Sequence, residues 1–348
     1  MEKKEVLRLF LEKGYQIDVE SLNFFAKNDS FLQKFLLEME EKKFPSTITK
    51  EFVDSVLQSD IEIFALQPDK KTLTVDETAK ILLEKFNIIK QILVTHMDLV
   101  NLLSINKINE KTKRFSLIGV VADIDDDAKR ISIFDDTGEI TLKVDKKFLD
   151  DVLINDILGF SCEKNEGFDV KKIIFPDIPL RRNIKNLTEE KNAIFAEKTT
   201  KNILEWCSNQ KNQNYLFTFM HAENQAEVPQ NTKLIFVGEG PTFATILKNI
   251  SIFLFDGNFL HRVIKDKKLE DFLISLFKKR YFNATKGFNK ILVNNAFVLE
   301  NIPDIIAING LKEALQTNYK GTTILTTTEN TSWVINLKTR EIIKLNST

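Results

Sequence analysis

Residues that could act as nucleophiles or as soft metal ligands are few in this sequence. The chain has three histidines, His96, His221 and His261, and two cysteines, Cys162 and Cys207. The cysteines form no C-x-x-C pair and neither lies beside a histidine, which argues against a zinc site, a disulfide framework and a cysteine nucleophile. No Gly-x-Ser-x-Gly elbow is present either. We therefore interpret both cysteines as reduced, partly buried thiols.

Three further patterns have a structural interpretation beside a functional one. His221 and Glu223 could bind one ion, but an exposed loop histidine is the better interpretation. The aspartates between residues 123 and 127 lack the glycine and the terminal glutamate spacing of an EF-hand, so a solvated connection between strands is the better interpretation. Residues 238–242 lack the Lys-Ser/Thr of a P-loop, and Phe243 stands where a dinucleotide fingerprint has its third glycine, which favours a strand-to-helix turn.

The overall charge excludes one simple mode of nucleic-acid binding. The formal net charge is -1, so no overall basic field attracts a phosphate backbone, and any contact with DNA must use a local patch. Two basic clusters supply candidates, one around the last strand of the predicted barrel and one after a predicted helix. The DNA-binding candidates are Lys171, Lys172, Arg181, Arg182, Lys278, Lys279 and Arg280.

The sequence shows neither a signal peptide nor a membrane span. The first 16 residues mix both signs of charge through their apolar positions and lack a small-residue cleavage site. No stretch approaches the roughly 18 consecutive apolar residues of a transmembrane helix. We expect an intracellular, cytoplasmic protein.

The first hundred residues have the period of helices. A helix is predicted over residues 2–13 with Gly14 as its left-handed cap, and others begin at a capping box over residues 30–33 and at Pro45. A second capping box, at residues 74–77, opens a longer helix. Residues 58–65 partly match a sliding-clamp-binding peptide, although a helix end fits them as well.

From about residue 111 the hydrophobic period changes to two. Strands are predicted over residues 114–124, 130–134, 139–144, 158–163 and 168–175, with a tight turn at 135–138 and a helical stretch at 146–153. This is the element order of an OB barrel, and an unrelated small barrel is the alternative. From residue 183 strands and helices alternate in the pattern of an α/β sandwich, with helices at 202–207, 243–249 and 268–277.

The middle of the chain carries a family resemblance. Residues 134–140, Phe-Asp-Asp-Thr-Gly-Glu-Ile, and 175–182, Phe-Pro-Asp-Ile-Pro-Leu-Arg-Arg, resemble the OB domain of the small (B) subunit of archaeal family-D DNA polymerases. The resemblance continues at residues 302–306 and 318–324, and covers about residues 80 to 345. It implies a calcineurin-like phosphodiesterase domain at the C-terminus, which in that family is a 3'-to-5' exonuclease with two metal ions.

The resemblance also implies a ligand set that this chain lacks. Two divalent ions need dense carboxylate and imidazole ligands, and the three histidines are too few for the roughly four or five imidazoles of such sites. At the expected positions the chain has other residues, and the final Gly-His-x-His has become Asn309-Gly-Leu-Lys312. The former metal-site positions are Glu197, His221, Glu239, Asn309 and Leu311.

We expect an α+β multidomain protein with a helical module (1–70), a linker and connecting helix (71–108), an OB-fold barrel (109–182) and a degenerate calcineurin-like α/β sandwich (183–348). The resemblance together with the missing ligands predicts an accessory DNA polymerase subunit with neither catalytic residues nor a cofactor or metal. Its partners would be the large catalytic subunit, primer-template DNA and, through the complex, a sliding clamp, in the nucleoid. The alternatives are an exonuclease with a remodelled metal site and a free-standing single-strand binder.

Overall fold

A computed structural model describes residues 3–27, 32, 35–36, 39, 44–50, 52–53, 61–65, 74–180, 182–220, 227–238, 240–262, 264, 268–282 and 297–346. The chain forms two compact units, one of residues 1–62 with 246–248 and one of residues 63–245 with 249–348. The predicted α+β class is confirmed, because short helices accompany several β-sheets.

In the described part of the N-terminal unit, helices pack around phenylalanine side chains. Its elements are α1 (Lys3–Glu12), β1 (Gln16–Ile17), α2 (Val19–Lys27) and β2 (Thr47–Ile48), and β1 pairs with β2 in parallel. Phe10, Phe25 and Phe35 are fully buried and in contact. The predicted cap is confirmed: Gly14 has φ +83° and its N–H donates to the Leu11 carbonyl at 3.0 Å.

The helix predicted to begin at Pro45 is wrong at its start, because Thr47–Ile48 forms β2 and helical backbone begins only at Lys50. β-branched side chains at both positions of β2 favour the extended pairing. Of the proposed capping box at 30–33, Ser30 and Gln33 lie outside the described residues, as do residues 58–60 of the clamp-binding match. The remaining residues of the clamp-binding match form β3 (Ile61–Ala65).

The long helix α3 (Val75–Val94) covers one side of a closed barrel. The predicted capping box is confirmed, since Thr74 N donates to Glu77 Oε2 at 2.8 Å and Glu77 N donates to Thr74 Oγ1 at 3.3 Å. Phe86, Ile89 and Leu93 are buried against barrel residues such as Ile118. The apolar stripe of α3 therefore fixes the helix to the barrel.

The barrel contains five strands, as expected from the change of period. Its elements are β4 (Arg114–Asp125), β5 (Arg130–Phe134), β6 (Glu139–Lys143), α4 (Lys146–Leu149), β7 (Ile157–Lys164) and β8 (Phe168–Ile174). The closed order is β4-β5-β6-β8-β7, with β6 and β8 parallel and the other pairs antiparallel. In the β5–β6 turn, Asp135 Oδ1 accepts from the backbone N–H groups of Thr137 and Gly138 at 2.7 and 3.0 Å.

The C-terminal part of the same unit contains two sheets. Its elements are β9 (Lys191–Ala196), α5 (Lys201–Ser208), β10 (Gln213–Thr218), β11 (Thr232–Phe236), β12 (Thr242–Ile246), β13 (Ile250–Asp256), α6 (Leu269–Lys278), β14 (Ile305–Asn309), β15 (Gln316–Tyr319), β16 (Thr322–Thr326), β17 (Thr331–Asn336) and β18 (Ile342–Asn346). The orders are β11-β10-β9-β17-β18 and β15-β16-β14-β13-β12-β3. Within them β9, β10 and β11 run parallel, as do β13, β14 and β16. None of the helices described here is long and apolar enough to cross a membrane.

The helix predicted over residues 243–249 is wrong. Residues 242–246 form β12, in which buried and half-buried side chains alternate. Leu247 and Lys248 follow with φ of +48° and +53° and lead into β13. Local spacing did not separate the two structures, because a short apolar run fits a helix or a strand, and strand pairing decided the outcome.

Candidate functional site

The turn after β14 occupies the place where the resemblance predicts metal ligands. Asn309, the last residue of β14, is buried, and its Oδ1 accepts a hydrogen bond from Thr327 Oγ1 at 3.0 Å. Leu311 is buried in the apolar core beside α6. The Asn309 side chain is therefore engaged in a hydrogen bond within the protein, and the Leu311 side chain is part of the apolar core.

Gly310, between these two residues, permits a close approach of two loops. Its φ is +77°, and a Cβ built there would lie 2.7 Å from Asp256 Oδ1 and 2.7 Å from Asn258 Cγ. His261 Nε2 lies 2.7 Å from the Gly310 carbonyl oxygen, to which it donates when that nitrogen carries the proton. A histidine nitrogen engaged in this way is not available to a metal ion.

Carboxylates gather at the ends of strands from both C-terminal sheets. Glu197 directly follows β9, and its backbone carbonyl accepts from Phe219 N and Met220 N at 3.1 and 2.8 Å. Burial raises the pKa of Glu197, with further contributions from the negative charges of Glu329 and Asp256 and an opposing one from Lys198. Glu197 interacts with Asp256, and Asp256 lies beside Gly310. The predicted site residue Glu197 is therefore near the Asn309 turn.

These residues do not form the expected ligand set. Among the described residues, no group of three or more histidine, cysteine, aspartate or glutamate side chains is placed to hold a metal ion. His221 and Glu239 lie outside those residues. An amide engaged with a hydroxyl at Asn309 and an aliphatic side chain at Leu311 do not replace imidazole ligands, so the residues present at this turn do not fit a two-metal centre.

Three of the predicted DNA-binding cations are enclosed in the structure. Arg182 is 14% exposed and donates to Asp304 Oδ1, Thr322 Oγ1 and the carbonyls of residues 302 and 303, each at 2.7 Å. Lys279 is buried with its Nζ 2.8 Å from Asp156 Oδ2. Arg280 is buried and donates to the Pro176 carbonyl at 2.8 Å. We therefore correct the prediction for these three residues and assign them to the fold.

Of the other candidates, two lie at the surface and one is half-buried. Lys171 and Lys172 are about half exposed, and their Nζ atoms lie 3.4 Å from Glu163 Oε2 and 2.6 Å from Asp98 Oδ2. Lys278 lies with its Nζ 5.8 Å from the centre of the Tyr319 ring. Arg181 lies outside the described residues. Within the described part of the chain, the DNA-binding prediction therefore depends on Lys171, Lys172 and Lys278.

The sequence interpretation missed a polar clamp between the barrel exit and the sheets. Asp177 Oδ2 accepts from Lys320 Nζ at 2.6 Å and from the Tyr319 hydroxyl at 2.9 Å. Lys320 Nζ also donates to the Ile178 carbonyl at 3.0 Å. Both segments of the clamp belong to the motifs that carry the family resemblance, which was the available signal.

Comparisons with known proteins add no identity. No model of a protein family matches the chain, and no curated protein matches it. Among solved structures, the solution NMR structure of Thermotoga maritima protein TM1076 aligns over 45% of this chain and 99% of that chain, at 10% sequence identity and a TM-score of 0.25. At that score the similarity carries no argument about fold or function.

Proposed function

We propose that this chain is a non-catalytic small subunit of a family-D-like replicative DNA polymerase. It binds the large catalytic subunit and helps to position primer-template DNA. In this proposal residues 109–182 are an OB-fold barrel and residues 183–348 are a calcineurin-like phosphodiesterase domain that has lost its metal ions. The helical module lies at residues 1–70, followed by a linker and connecting helix.

The strand order supports the barrel assignment. A closed barrel of order β4-β5-β6-β8-β7, with a short helix between its third and fourth strands, is compatible with an OB fold. The two sheets that follow, with parallel strands ending near the Asn309 turn, are compatible with a phosphodiesterase sandwich. OB folds often bind single strands, which is consistent with the exposed Lys171 and Lys172.

The observation that carries the proposal is the chemistry of the Asn309 turn. The strand before it and the β15–β16 hairpin after it are present, while Asn309 bonds to Thr327 and Leu311 packs in the core. A scaffold kept while its ligand positions take up packing roles is expected of a subunit that is retained for assembly. Two-metal hydrolysis needs ligands that these side chains do not supply.

Two measurements test the proposal. The purified chain with Mn²⁺ should leave a 3'-labelled strand intact, and co-expression with a family-D-like large subunit from the same genome should yield a stable heterodimer. Degradation of the strand that is lost in Glu197→Gln, His221→Gln or Glu239→Gln would overturn it. So would failure to bind any large subunit while the isolated chain binds single-stranded DNA with steep salt dependence.

A second candidate is an exonuclease with a remodelled site. The observation in its favour is that the carboxylates of Glu197, Asp256 and Glu329 interact near the end of β9. The same nuclease assay separates it from the first proposal, and Glu190→Gln, at an exposed position just before β9, is the matched control. Loss of activity in Glu197→Gln together with full activity in the control would favour the exonuclease.

A further inference from the structure

Two buried lysines meet at the place where α3, the barrel and the end of α6 come together. Lys85 lies in the middle of α3, and Lys279 follows α6 directly. Each is about 4% exposed, and so both are almost completely removed from water. Buried lysines are rare unless they are paired, because the ammonium group loses its hydration.

The contacts of the two amino groups differ. Lys279 Nζ lies 2.8 Å from Asp156 Oδ2, an ion-pair distance without the alignment of a hydrogen bond. Lys85 Nζ donates to the Asn155 carbonyl at 2.9 Å and lies 3.4 Å from the centre of the Tyr281 ring. Asp156, in the turn before β7, is the carboxylate with which both lysines interact.

The charges at this joint do not balance when both lysines are protonated. The barrel contributes Asp156, the segment after α6 contributes Lys279 and the Tyr281 phenol, and α3 contributes Lys85. Asp156 attracts the Lys85 ammonium and Lys279 repels it, and these are the charged groups that act on it. A neutral Lys85 leaves a balanced Lys279–Asp156 pair, whereas a protonated Lys85 adds one buried positive charge.

We propose that Lys85, Asp156 and Lys279 form a proton-operated latch that joins α3, the barrel and the end of α6. The joint is held most tightly when Lys85 Nζ is neutral, and it loosens when Lys85 takes up a proton. Lys279 was one of the predicted DNA-binding residues. In this proposal it instead helps to control how firmly the barrel is joined to the C-terminal sheets.

The expected direction of the pH dependence follows from linkage. Burial lowers the pKa of Lys85 to about 7, with Asp156 opposing the shift and Lys279 adding to it. An opened joint exposes Lys85 to water, where its pKa returns toward about 10.4. Opening therefore takes up a proton above pH 7, so its equilibrium constant falls about tenfold for each pH unit between roughly 7.5 and 9.5 and is flat below 7.

Urea unfolding of the whole chain tests the latch. The unfolding constants of the wild type, of Lys85→Met and of a control variant are compared between pH 6 and 9.5. The ratio of wild-type to Lys85→Met unfolding constants should fall about tenfold for each pH unit above 7.5. Lys80→Met, at an exposed position of the same helix, should follow the wild type. Equal pH dependence of wild type and Lys85→Met would overturn the proposal.

A second measurement needs no variant and keeps the proposal testable if Lys85→Met does not fold. In the wild-type protein with ¹³C-labelled lysine, one side-chain resonance should titrate near pH 7 while exposed lysines titrate above about pH 10. Titration of every lysine above pH 9.5 would contradict the latch. Where the variant folds, the backbone amides of Asn155 and Tyr281 should exchange more slowly in it than in the wild type at pH 6.5.

Discussion

The Thr327 hydroxyl donates a buried hydrogen bond of 3.0 Å to Asn309 Oδ1 at the turn where metal ligands were expected. Thr327 follows β16, and its backbone N–H also donates to the Ile308 carbonyl at 2.9 Å. The two residues join the ends of adjacent parallel strands. Both side chains are therefore buried at the position where the resemblance predicts a ligand.

Thr327→Val should destabilise the protein because it leaves the Asn309 side-chain oxygen buried without that donor. The expected loss is about 1 to 3 kcal/mol of unfolding free energy, measured by urea denaturation. Thr141→Val, on the exposed side of β6, is the control, and it should change stability by less than about 0.5 kcal/mol. Equal effects of the two substitutions would contradict a structural role for the buried bond.

Asp177→Asn tests the clamp at the barrel exit. The substitution removes the carboxylate that accepts from Lys320 and Tyr319, and we expect a loss of about 1 to 3 kcal/mol in unfolding free energy. Asp145→Asn breaks an exposed pair with Lys147 and should change stability by at most about 0.5 kcal/mol. A clamp variant as stable as this control would show that the contacts add nothing to the fold.

Lys171→Gln with Lys172→Gln tests the surface that remains for DNA. If both side chains neutralise phosphates, the double variant should bind single-stranded DNA more weakly. Its slope of log affinity against log salt concentration should fall by about 1.4, measured by fluorescence anisotropy. The double variant Lys201→Gln with Lys211→Gln, on α5 and the turn after it, leaves the barrel unchanged and should bind as the wild type does. An unchanged slope in the barrel variant would remove these lysines from the DNA-binding prediction.

Glu197→Gln should change the pH dependence of stability. Because the pKa of Glu197 is raised in the folded protein, folding favours its protonated form, and that contribution is lost as the pH rises through the folded pKa. The variant should therefore be more stable than the wild type at pH 7, with the gain disappearing below the unfolded pKa of about 4.3. Thermal unfolding at pH 3.5 and 7 measures this. A gain that is the same at both values would contradict the sign of the shift.

Both cysteines should be unreactive in the native protein. Burial raises the pKa of Cys162 to about 12 and also raises that of Cys207, so the reactive thiolate is scarce at pH 8. Ellman's reagent should modify neither thiol until urea unfolds the chain, after which both should react. Rapid labelling of one native thiol would show that its surroundings open readily.

Much of the fold is readable from local patterns. The strand predicted over residues 130–134 coincides with β5, and the capping box at Thr74 opens α3 as expected. These features depend on neighbours within a few residues, so alternation and capping chemistry are enough to find them. The prediction of a helix over residues 243–249 is wrong because β12 depends on pairing with other strands, which local patterns do not reveal.

The candidate site shows the same division. The residue types at Asn309 and Leu311 already exclude the expected ligands, because the identity of a donor atom is a property of sequence alone. The role of each basic residue cannot be determined from the sequence in this way. A lysine or an arginine is the same residue type whether it contacts DNA or a carbonyl group. Arg280 reaches the Pro176 carbonyl across 104 residues, and Arg182 reaches that of Pro303 across 121. Only the folded chain brings such distant partners together, and so only the tertiary structure separates the cations that hold the fold from those that remain at its surface.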